Sequence, residues 1–438
     1  MVRVFLNFNS YLGGGETLLV RLVDDAVSDS SSEKKIKVIS SKDSYIFNEL
    51  KKQKSKKYNI YGFNGDYDYF YLNERNKSLL IDWLRSIFKS DVSISIITFS
   101  MRDLYIAHEL AKLRPGVSIT HLLLHPIDHL FMCQSILDKI RAYLFGKHSY
   151  SLKNNFDSNV SLLSELSKSN SLIPMNKNVL ERFGIDTGIL LSRDKIIPLP
   201  VAKDSDIKSA KKILKAPKQH SDLKKIVWVG RVVNFKIPAI KTMIDFVSTN
   251  EKYQFDIIGS GSTKKITNYI KYKNVENKVF LRNTIPYTDL KFQLKEYDIG
   301  YAMGTSMVDL TLCGLPVVVA LASPNFKSFP EPICAGLLNE QKEGNVGDDL
   351  YVKNINSPEI TLIKKSLEKI NNDRNNVISQ SLNFVQSSFS IEQNISKYRY
   401  IFNAGTEQTI NSEKEISVNI IRKIIFRLFK LMSYLRTF

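Results

Sequence analysis

Cysteine is scarce in this chain of 438 residues, with only Cys133, Cys313 and Cys334 present. No C-x-x-C pair occurs and one cysteine would be left over, so neither a disulfide framework nor a zinc-ligand spacing can be read, and a reducing compartment is expected. Long apolar runs are missing too. No uninterrupted stretch approaches the roughly 18 residues a spanning helix needs. The opening MVRVFLNFNS turns polar before a secretory apolar core can form. The expectation is a soluble or peripheral protein. Acidic residues fall short of basic ones, 44 Asp and Glu against 62 Lys and Arg, for a formal charge of +18. Such a surplus fits lysine-rich solvated surface, or an anionic partner: nucleic acid, anionic membrane or phosphorylated small molecule. The basic residues are not interleaved with aromatics in any one segment, which speaks against nucleic acid.

An apolar fraction of 43% and a charged fraction of 24% are those of a globular protein, and the length fits two domains. Short apolar runs alternate with helical patterns, the rhythm of a parallel sheet. In the first half the strand candidates are VRVFLNF at 2–8, KIKVIS at 35–40, SISIITF at 93–99, SITHLLL at 118–124 and SLIPM at 171–175. The prolines of KIIPLPV and the lysine-rich stretch after them mark a junction. The rhythm restarts with KIVWVG, YQFDIIG, KVFLRN, YDIGYAM and PVVVALA. The fold class expected is α/β, two Rossmann-like doubly wound domains facing a central cleft, plus a C-terminal amphipathic helix. The division is 1–200 for the first domain, 201–224 for a linker region, 225–388 for the second domain, 389–403 for a closing helix, 404–415 for a linker and 416–438 for a basic tail. In that tail Ile421, Ile424, Ile425, Leu428, Leu431 and Leu435 keep helical spacing, while Arg422, Lys423, Arg427, Lys430 and Arg436 lie on other faces. That pattern suits either an interfacial membrane anchor or packing on the protein's own core.

Ligands of doubly wound sheets sit beyond the carboxyl ends of the strands. At such an end VGRVVNFK places Gly230, Arg231 and Lys236, a close-turning glycine followed by two cations suited to a diphosphate. In GYAMGTSMVDLTLCGLPVVVA, the turn Gly304, Thr305, Ser306 precedes a helix, with a threonine or serine cap and first-turn amides facing an anion. Asp309, one turn in, can accept from paired hydroxyls such as those of a ribose, or simply answer the helix dipole. Gly13, Gly14 and Gly15 form a loop that is either a flexible turn or a phosphate approach. Glu16 then reads as a first-turn acid or an acceptor-side group. His121, His125 and His129 have a spacing of four, but Pro126 breaks the helix that would align them, so no metal site is expected.

Taken together, VGRVVNFK, DIIGSGS, KVFLRNTIPYTDL and YDIGYAMGTSMVDLTLCGLPVVV resemble, in that order, the two-domain GT-B glycosyltransferases, most like glycosyltransferase family 4. FNSYLGGGETLLVRLVDDA looks like that family's glycine-rich first loop and helix, and FSIEQNISKYRYIF like its closing helix. The resemblance implies that Arg231 and Lys236 bind the donor diphosphate, assisted by Gly304, Thr305 and Ser306, and that Asp309 binds the donor ribose. It implies donor approach by Gly14 and Gly15, a base pocket at Asn283, Thr284 and Ile285 reaching to Pro286, and His125 near the transferred sugar or acceptor. Where the family carries another glutamate, eight residues before Asp309, this chain has Tyr301. Donor choice, or loss of activity, is therefore to be sought at residue 301. The activity implied is retaining transfer, hexosyltransferase in type, from a nucleotide-sugar to a glycan that is lipid-linked. The setting implied is assembly of O-antigen, capsule or exopolysaccharide, without metal or other cofactor, at the cytoplasmic face of an anionic membrane. A degenerate nucleotide-sugar-binding scaffold and a sugar-nucleotide epimerase are the alternatives.

Overall fold

The computed structural model describes residues 1–9, 13–28, 35–53, 55, 57–65, 74–133, 152–213, 223–285, 287–323, 328–345, 347–349 and 358–404. The amphipathic tail expected at 416–438 lies outside these residues. The first sheet holds six parallel strands: β1 (Val2–Asn7), β2 (Lys35–Ser41), β3 (Tyr58–Phe63), β4 (Ile94–Thr98), β5 (Val117–Leu123) and β6 (Leu172–Pro174), in the order β3-β2-β1-β4-β5-β6. β1 runs beside β2 from Val2 opposite Lys35 to Asn7 opposite Ser40, and beside β4 from Val2 opposite Ile94 to Leu6 opposite Thr98. The second sheet holds five: β7 (Lys224–Val229), β8 (Tyr253–Ile258), β9 (Val279–Arg282), β10 (Ile299–Ala302) and β11 (Val317–Val319), in the order β11-β10-β7-β8-β9.

Each sheet is covered on both faces, which is why its central strands read as nearly continuous apolar runs. In the first domain Phe5 packs with Leu18 and Leu19 on one face, while Val4 and Leu6 pack with Leu104 and Ile106 on the other. In the second, Trp228, Phe255 and Tyr301 form the centre of a fully buried cluster with the helix Ile237–Ser248. Each such side chain contributes about 1.5–3 kcal/mol by leaving water. The strand Tyr58–Phe63 carries no clear apolar run in the sequence. It is an edge strand whose YNIYGF is only partly buried, so its apolar signal is diluted.

Strand order reverses between β1 and β4 in the first sheet and between β7 and β10 in the second. Such reversals open a crevice at the carboxyl ends of the strands.

The chain passes between the domains twice, side by side. Val201 and Ala202 N–H groups donate to the Phe389 carbonyl at 2.9 Å, and Ile391 N–H donates to the Ala202 carbonyl at 2.8 Å. Beyond that crossing the helix Ile391–Ala404 lies on the first domain. There Tyr398 Oη donates to the Ile197 carbonyl (3.1 Å), Arg399 pairs with Asp25 (Nε to Oδ2, 2.7 Å), and Phe402 meets Phe5 edge-on. The described part of the 201–224 region carries a helix. Its DSDIKSAKKI sets Ile207 and Ala210 on one side of the helix Asp204–Ile213, where Ala210 packs against Ile378 and Leu382.

Candidate active site

Gly230 follows β7 at the reversal of the second sheet, and its loop is sewn to the loop after β8. Gly230 N–H donates to the Ile258 carbonyl (3.0 Å), Val232 N–H to the Ser260 carbonyl (2.7 Å) and Ser262 N–H to the Val232 carbonyl (2.7 Å). Two glycines make this contact possible. A Cβ on Gly259 would stand 2.1 Å from the Gly230 oxygen, and one on Gly261 would stand 2.4 Å from the Val232 oxygen. The paired loops hold the Arg231 backbone while the residue itself stays exposed, with Nη2 3.7 Å from where a Cβ on Gly13 would be.

A short turn, Asn234–Lys236, then brings Lys236 back over the same glycine. A Cβ on Gly230 would lie 3.4 Å from Ser306 Oγ, 3.7 Å from Lys236 Nζ and 3.8 Å from Trp228 Nε1. The absent side chain thus leaves a small cradle lined by an ammonium, a hydroxyl and an indole N–H, the last donating to the Gly230 carbonyl at 3.3 Å. Burial, and then the Arg231 cation, push the Lys236 pKa down to about 8. The Arg231 charge is thus close enough to be felt at Lys236, a repulsion between like charges that a bound anion would relieve.

Ser306 comes from the turn after β10. Gly304 there has φ +75°, with open space around it. The expected helix-cap anion site differs from what is found. Thr305 is itself in the right-handed helical region and makes no side-chain cap bond. Met307, Val308 and Asp309 amides donate back to the Gly304 and Thr305 carbonyls at 3.2, 3.0 and 3.3 Å, so those first-turn donors are consumed. The helix Ser306–Leu312 also has only seven residues. What this turn contributes to the cradle is the Ser306 hydroxyl, beside Lys236 Nζ. Asp309 sits half-buried on this helix, which lies tightly on β10 because a Cβ on Gly300 would come within 2.9 Å of Leu310 Cδ1.

Residue 301 needs a correction. Tyr301 lies inside β10, fully buried, and its hydroxyl donates to the Ala239 carbonyl at 3.1 Å. Its ring packs on Trp228 and Phe255. A side chain on that face of the strand points into the core and reaches no donor sugar. The chain leaves β10 through the buried Met303 and turns at Gly304.

Asn283 and Thr284 are exposed and Ile285 half-buried just after β9, at the same edge of the sheet but two strands from β7. Arg282 anchors their start: its Nε donates to Asp256 Oδ2 (2.9 Å), which also accepts from Tyr297 Oη (2.9 Å). Pro286 is outside the described residues.

The first domain faces this cradle with the loop and helix after β1. Of the glycine triplet, Gly13 comes nearest the second domain: a Cβ there would stand 3.7 Å from Arg231 Nη2 and 2.7 Å from Glu16 Oε2. Gly14 and Gly15 begin the helix Gly14–Ser28, with Leu199 Cδ1 3.9 Å and Leu124 Cδ1 3.2 Å from where their Cβ atoms would be. Gly15 therefore serves close packing against Leu124, whereas the space beside Gly14 would admit a Cβ in ordinary contact. Glu16 is buried and accepts from Asn9 Nδ2 at 3.0 Å.

Two carboxylates that sequence reasoning missed stand on the same floor. Asp103, fully buried after β4, accepts from Phe8 N–H (3.0 Å) and Ser100 Oγ (2.6 Å), and burial pushes its pKa up to about 6 despite those bonds. Asp128, after β5, is pushed up to about 7, again chiefly by burial, with the charge of Asp103 adding. No spacing signals either one, because the sheet alone brings their loops together.

His125 also follows β5. It is open to solvent on the cleft side, while protein packed around the rest of it pushes its pKa down to about 4 by desolvation. Its ring meets Phe235 of the second domain at 6.5 Å, edge to face. The three histidines of the sequence motif go to different partners. His121 Nδ1 lies 2.8 Å from Thr98 Oγ1, and His129 Nε2 lies 2.7 Å from Asp186 Oδ2. Among the described residues no group of three or more His, Cys, Asp or Glu side chains is arranged to hold a metal, and no helix is long and apolar enough to cross a membrane.

No protein-family model matches the chain, and no curated protein matches it in sequence. Solved structures match its shape. HepE of Anabaena, in complex with UDP and glucose, superposes with a TM-score of 0.56 at 14% identity, over 92% of this chain and 100% of that one. A sucrose-phosphate synthase from Thermosynechococcus elongatus gives a TM-score of 0.58 at 12% identity, covering 92% and 99%. The lipopolysaccharide outer core galactosyltransferase WaaB, in its apo form, gives 0.55 at 14%, covering 92% and 99%. At such identities the likeness is one of fold, the two-domain α/β architecture of GT-B glycosyltransferases.

Proposed function

We propose that this chain is a glycosyltransferase, hexosyltransferase in type, moving a sugar from a nucleotide diphosphate-sugar to a hydroxyl of a glycan. The observation that carries the reading is the cradle at Gly230, where Lys236 Nζ and Ser306 Oγ converge beside Arg231 at the reversal of the second sheet. Breaking the sugar–phosphate bond leaves negative charge on the departing diphosphate. Two pre-placed cations, one of them partly desolvated, stabilise that charge most as it develops. No metal is invoked in this reading. Asp309 accepts from the ribose hydroxyls, the 283–285 segment borders the base, and Gly13, Glu16 and His125 form the acceptor-side wall. HepE holds UDP and glucose within the same overall fold, which supports a nucleotide-sugar donor. Retention at the anomeric carbon follows from the family resemblance.

In the same reading the acceptor is lipid-linked, in cell-surface polysaccharide assembly at the inner face of a membrane. The basic amphipathic pattern at 416–438 supports it, since each cation near anionic lipid is worth about 1 kcal/mol. Deleting 416–438 is expected to release the protein from anionic liposomes, and unchanged co-sedimentation would refute the anchor.

The decisive test combines Arg231→Ala with Lys236→Ala in donor hydrolysis and transfer assays across a nucleotide-sugar panel. Turnover is expected to fall by at least a hundredfold; undiminished turnover would sink the assignment of Arg231 and Lys236, and no turnover by wild type on any donor of the panel would sink the transferase reading. Tyr301 is a core residue, so its lack of a carboxylate gives no support to a degenerate enzyme.

A further inference from the structure

The turn after β5 fixes what the His125 ring can do. Ile127 N–H donates to His125 Nδ1 at 3.4 Å. A nitrogen that accepts a hydrogen bond keeps its lone pair, so the neutral ring carries its proton on Nε2. An imidazolium would set an N–H against the Ile127 N–H, and this contact therefore opposes protonation in the same direction as burial. Asp128 closes the turn. Its Oδ2 accepts from His125 N–H at 3.2 Å, and its own N–H donates to the His125 carbonyl at 3.2 Å. The Leu124 amide bonds to the same carboxylate. Such reciprocal side-chain and backbone bonds hold a turn in one conformation. Across the cleft the His125 ring and the Lys236 ammonium share a neighbour: the ring meets Phe235 at 6.5 Å, and Lys236 Nζ lies 5.9 Å from the same Phe235 ring.

We propose that Asp128 is a positioning residue that locks this turn, so that His125 presents a neutral Nε2–H donor to a hydroxyl or phosphoryl oxygen of the ligand held beside Lys236. His125 is then a hydrogen-bond donor and not a general base, since the nitrogen facing the ligand already bears a proton. The ligand's identity rests on the glycosyltransferase reading; the ring's tautomer does not.

The chain has six histidines, so [15N]histidine labelling with long-range nitrogen–proton correlation spectra can read each ring, and His125→Gln identifies the signal of interest. Wild type is expected to show one Nε2–H form that does not titrate between about pH 5 and pH 8. Asp128→Ala is expected to mix the tautomers and to lower kcat/KM for donor turnover by roughly tenfold to a hundredfold. Asp128→Asn, which keeps an acceptor oxygen, should hold the Nε2–H form and recover most of that turnover. An Nδ1–H ring in wild type, or an unchanged spectrum in Asp128→Ala, would overturn the assignment. Should Asp128→Ala fail to fold, the other two proteins decide: Nε2–H in both wild type and Asp128→Asn supports the lock, and its loss in either overturns it. If the tautomer result holds while wild type turns over no nucleotide-sugar of the panel, the transferase reading fails and the turn assignment stands.

Discussion

Replacing Lys236 by Met removes the ammonium and keeps most of the unbranched side chain, which separates two effects that a surface lysine would not show. The Lys236 pKa is lowered from 10.5 to about 8, first by burial and then by Arg231. A cation whose folded pKa is depressed binds protons less tightly in the native state than in the unfolded one. Stability therefore rises as pH climbs from the folded value to the unfolded one, and below the folded value the whole penalty is present. A shift of this size corresponds to about 3 kcal/mol, and the residual exposure of Lys236 together with its loss of contact to Trp228 reduces it to about 1–2 kcal/mol. Lys236→Met is thus expected to be more stable than wild type near pH 7, with the advantage fading toward pH 10, as read by urea unfolding at both. Binding should move the other way. If a diphosphate needs the ammonium, the charged fraction falls about tenfold between pH 7 and pH 9, so the Kd for UDP should rise about tenfold, or about 1.4 kcal/mol. Calorimetric titration of UDP at constant ionic strength reads this, and Lys236→Met should bind weakly without that pH slope. A variant no more stable than wild type, together with a pH-independent wild-type Kd, would refute the account of Lys236 as a strained anion ligand.

Gly259→Ala forces a methyl to within 2.1 Å of the Gly230 oxygen, so the paired loops must part; a loss of about 2–4 kcal/mol in urea unfolding and a weaker UDP Kd are expected, and an unchanged Kd would show that Arg231 does not depend on that pairing. Tyr301→Phe removes the bond to the Ala239 carbonyl and should cost about 1 kcal/mol with donor preference intact. Tyr301→Glu buries an unpaired carboxylate and should fail to fold; a well-folded Glu variant with altered donor choice would restore residue 301 to the site. His121 is held neutral by burial, its pKa pushed down to about 3, so its contribution is full near neutrality and is lost as pH falls below the unfolded value. Near pH 4 that loss is about 3 kcal/mol, and His121→Asn should flatten the acid limb of the stability profile by a comparable amount. Equal acid slopes in variant and wild type would contradict it. Asp103, with its raised pKa, acts in the opposite sense over the same range, so only the difference between variant and wild type isolates His121.

Much of the molecule could be read from local order in the chain. Continuous apolar runs flanked by turns located the buried strands of both sheets, since a parallel strand is apolar on both faces. The edge strand Tyr58–Phe63, half in water, lacks that mark. Glycines after strands identified Gly230 and its partners, because a backbone that must approach another backbone excludes a Cβ. Arg231, Lys236 and Ser306 were legible for the same reason, as they follow the ends of β7 and β10, whose adjacency is implied once the strand order reverses.

Spacing misled where a side chain's direction decided the outcome. Counting eight residues back from Asp309 lands on Tyr301, but strand alternation turns that position into the core. The hydroxyls of Thr305 and Ser306 suggested a cap, yet the left-handed Gly304 lets the turn bond to itself. The composition and periodicity of this chain determined two doubly wound domains and a cationic turn in the second, because those signals come from residues close together along the backbone. The tertiary structure alone decided that Gly13 meets Arg231, that His125 faces Phe235, and that Asp103 and Asp128 share a floor. Those contacts join loops far apart in sequence, and their geometry follows from how the paired crossing at 201–202 and 389–391 sets one sheet against the other.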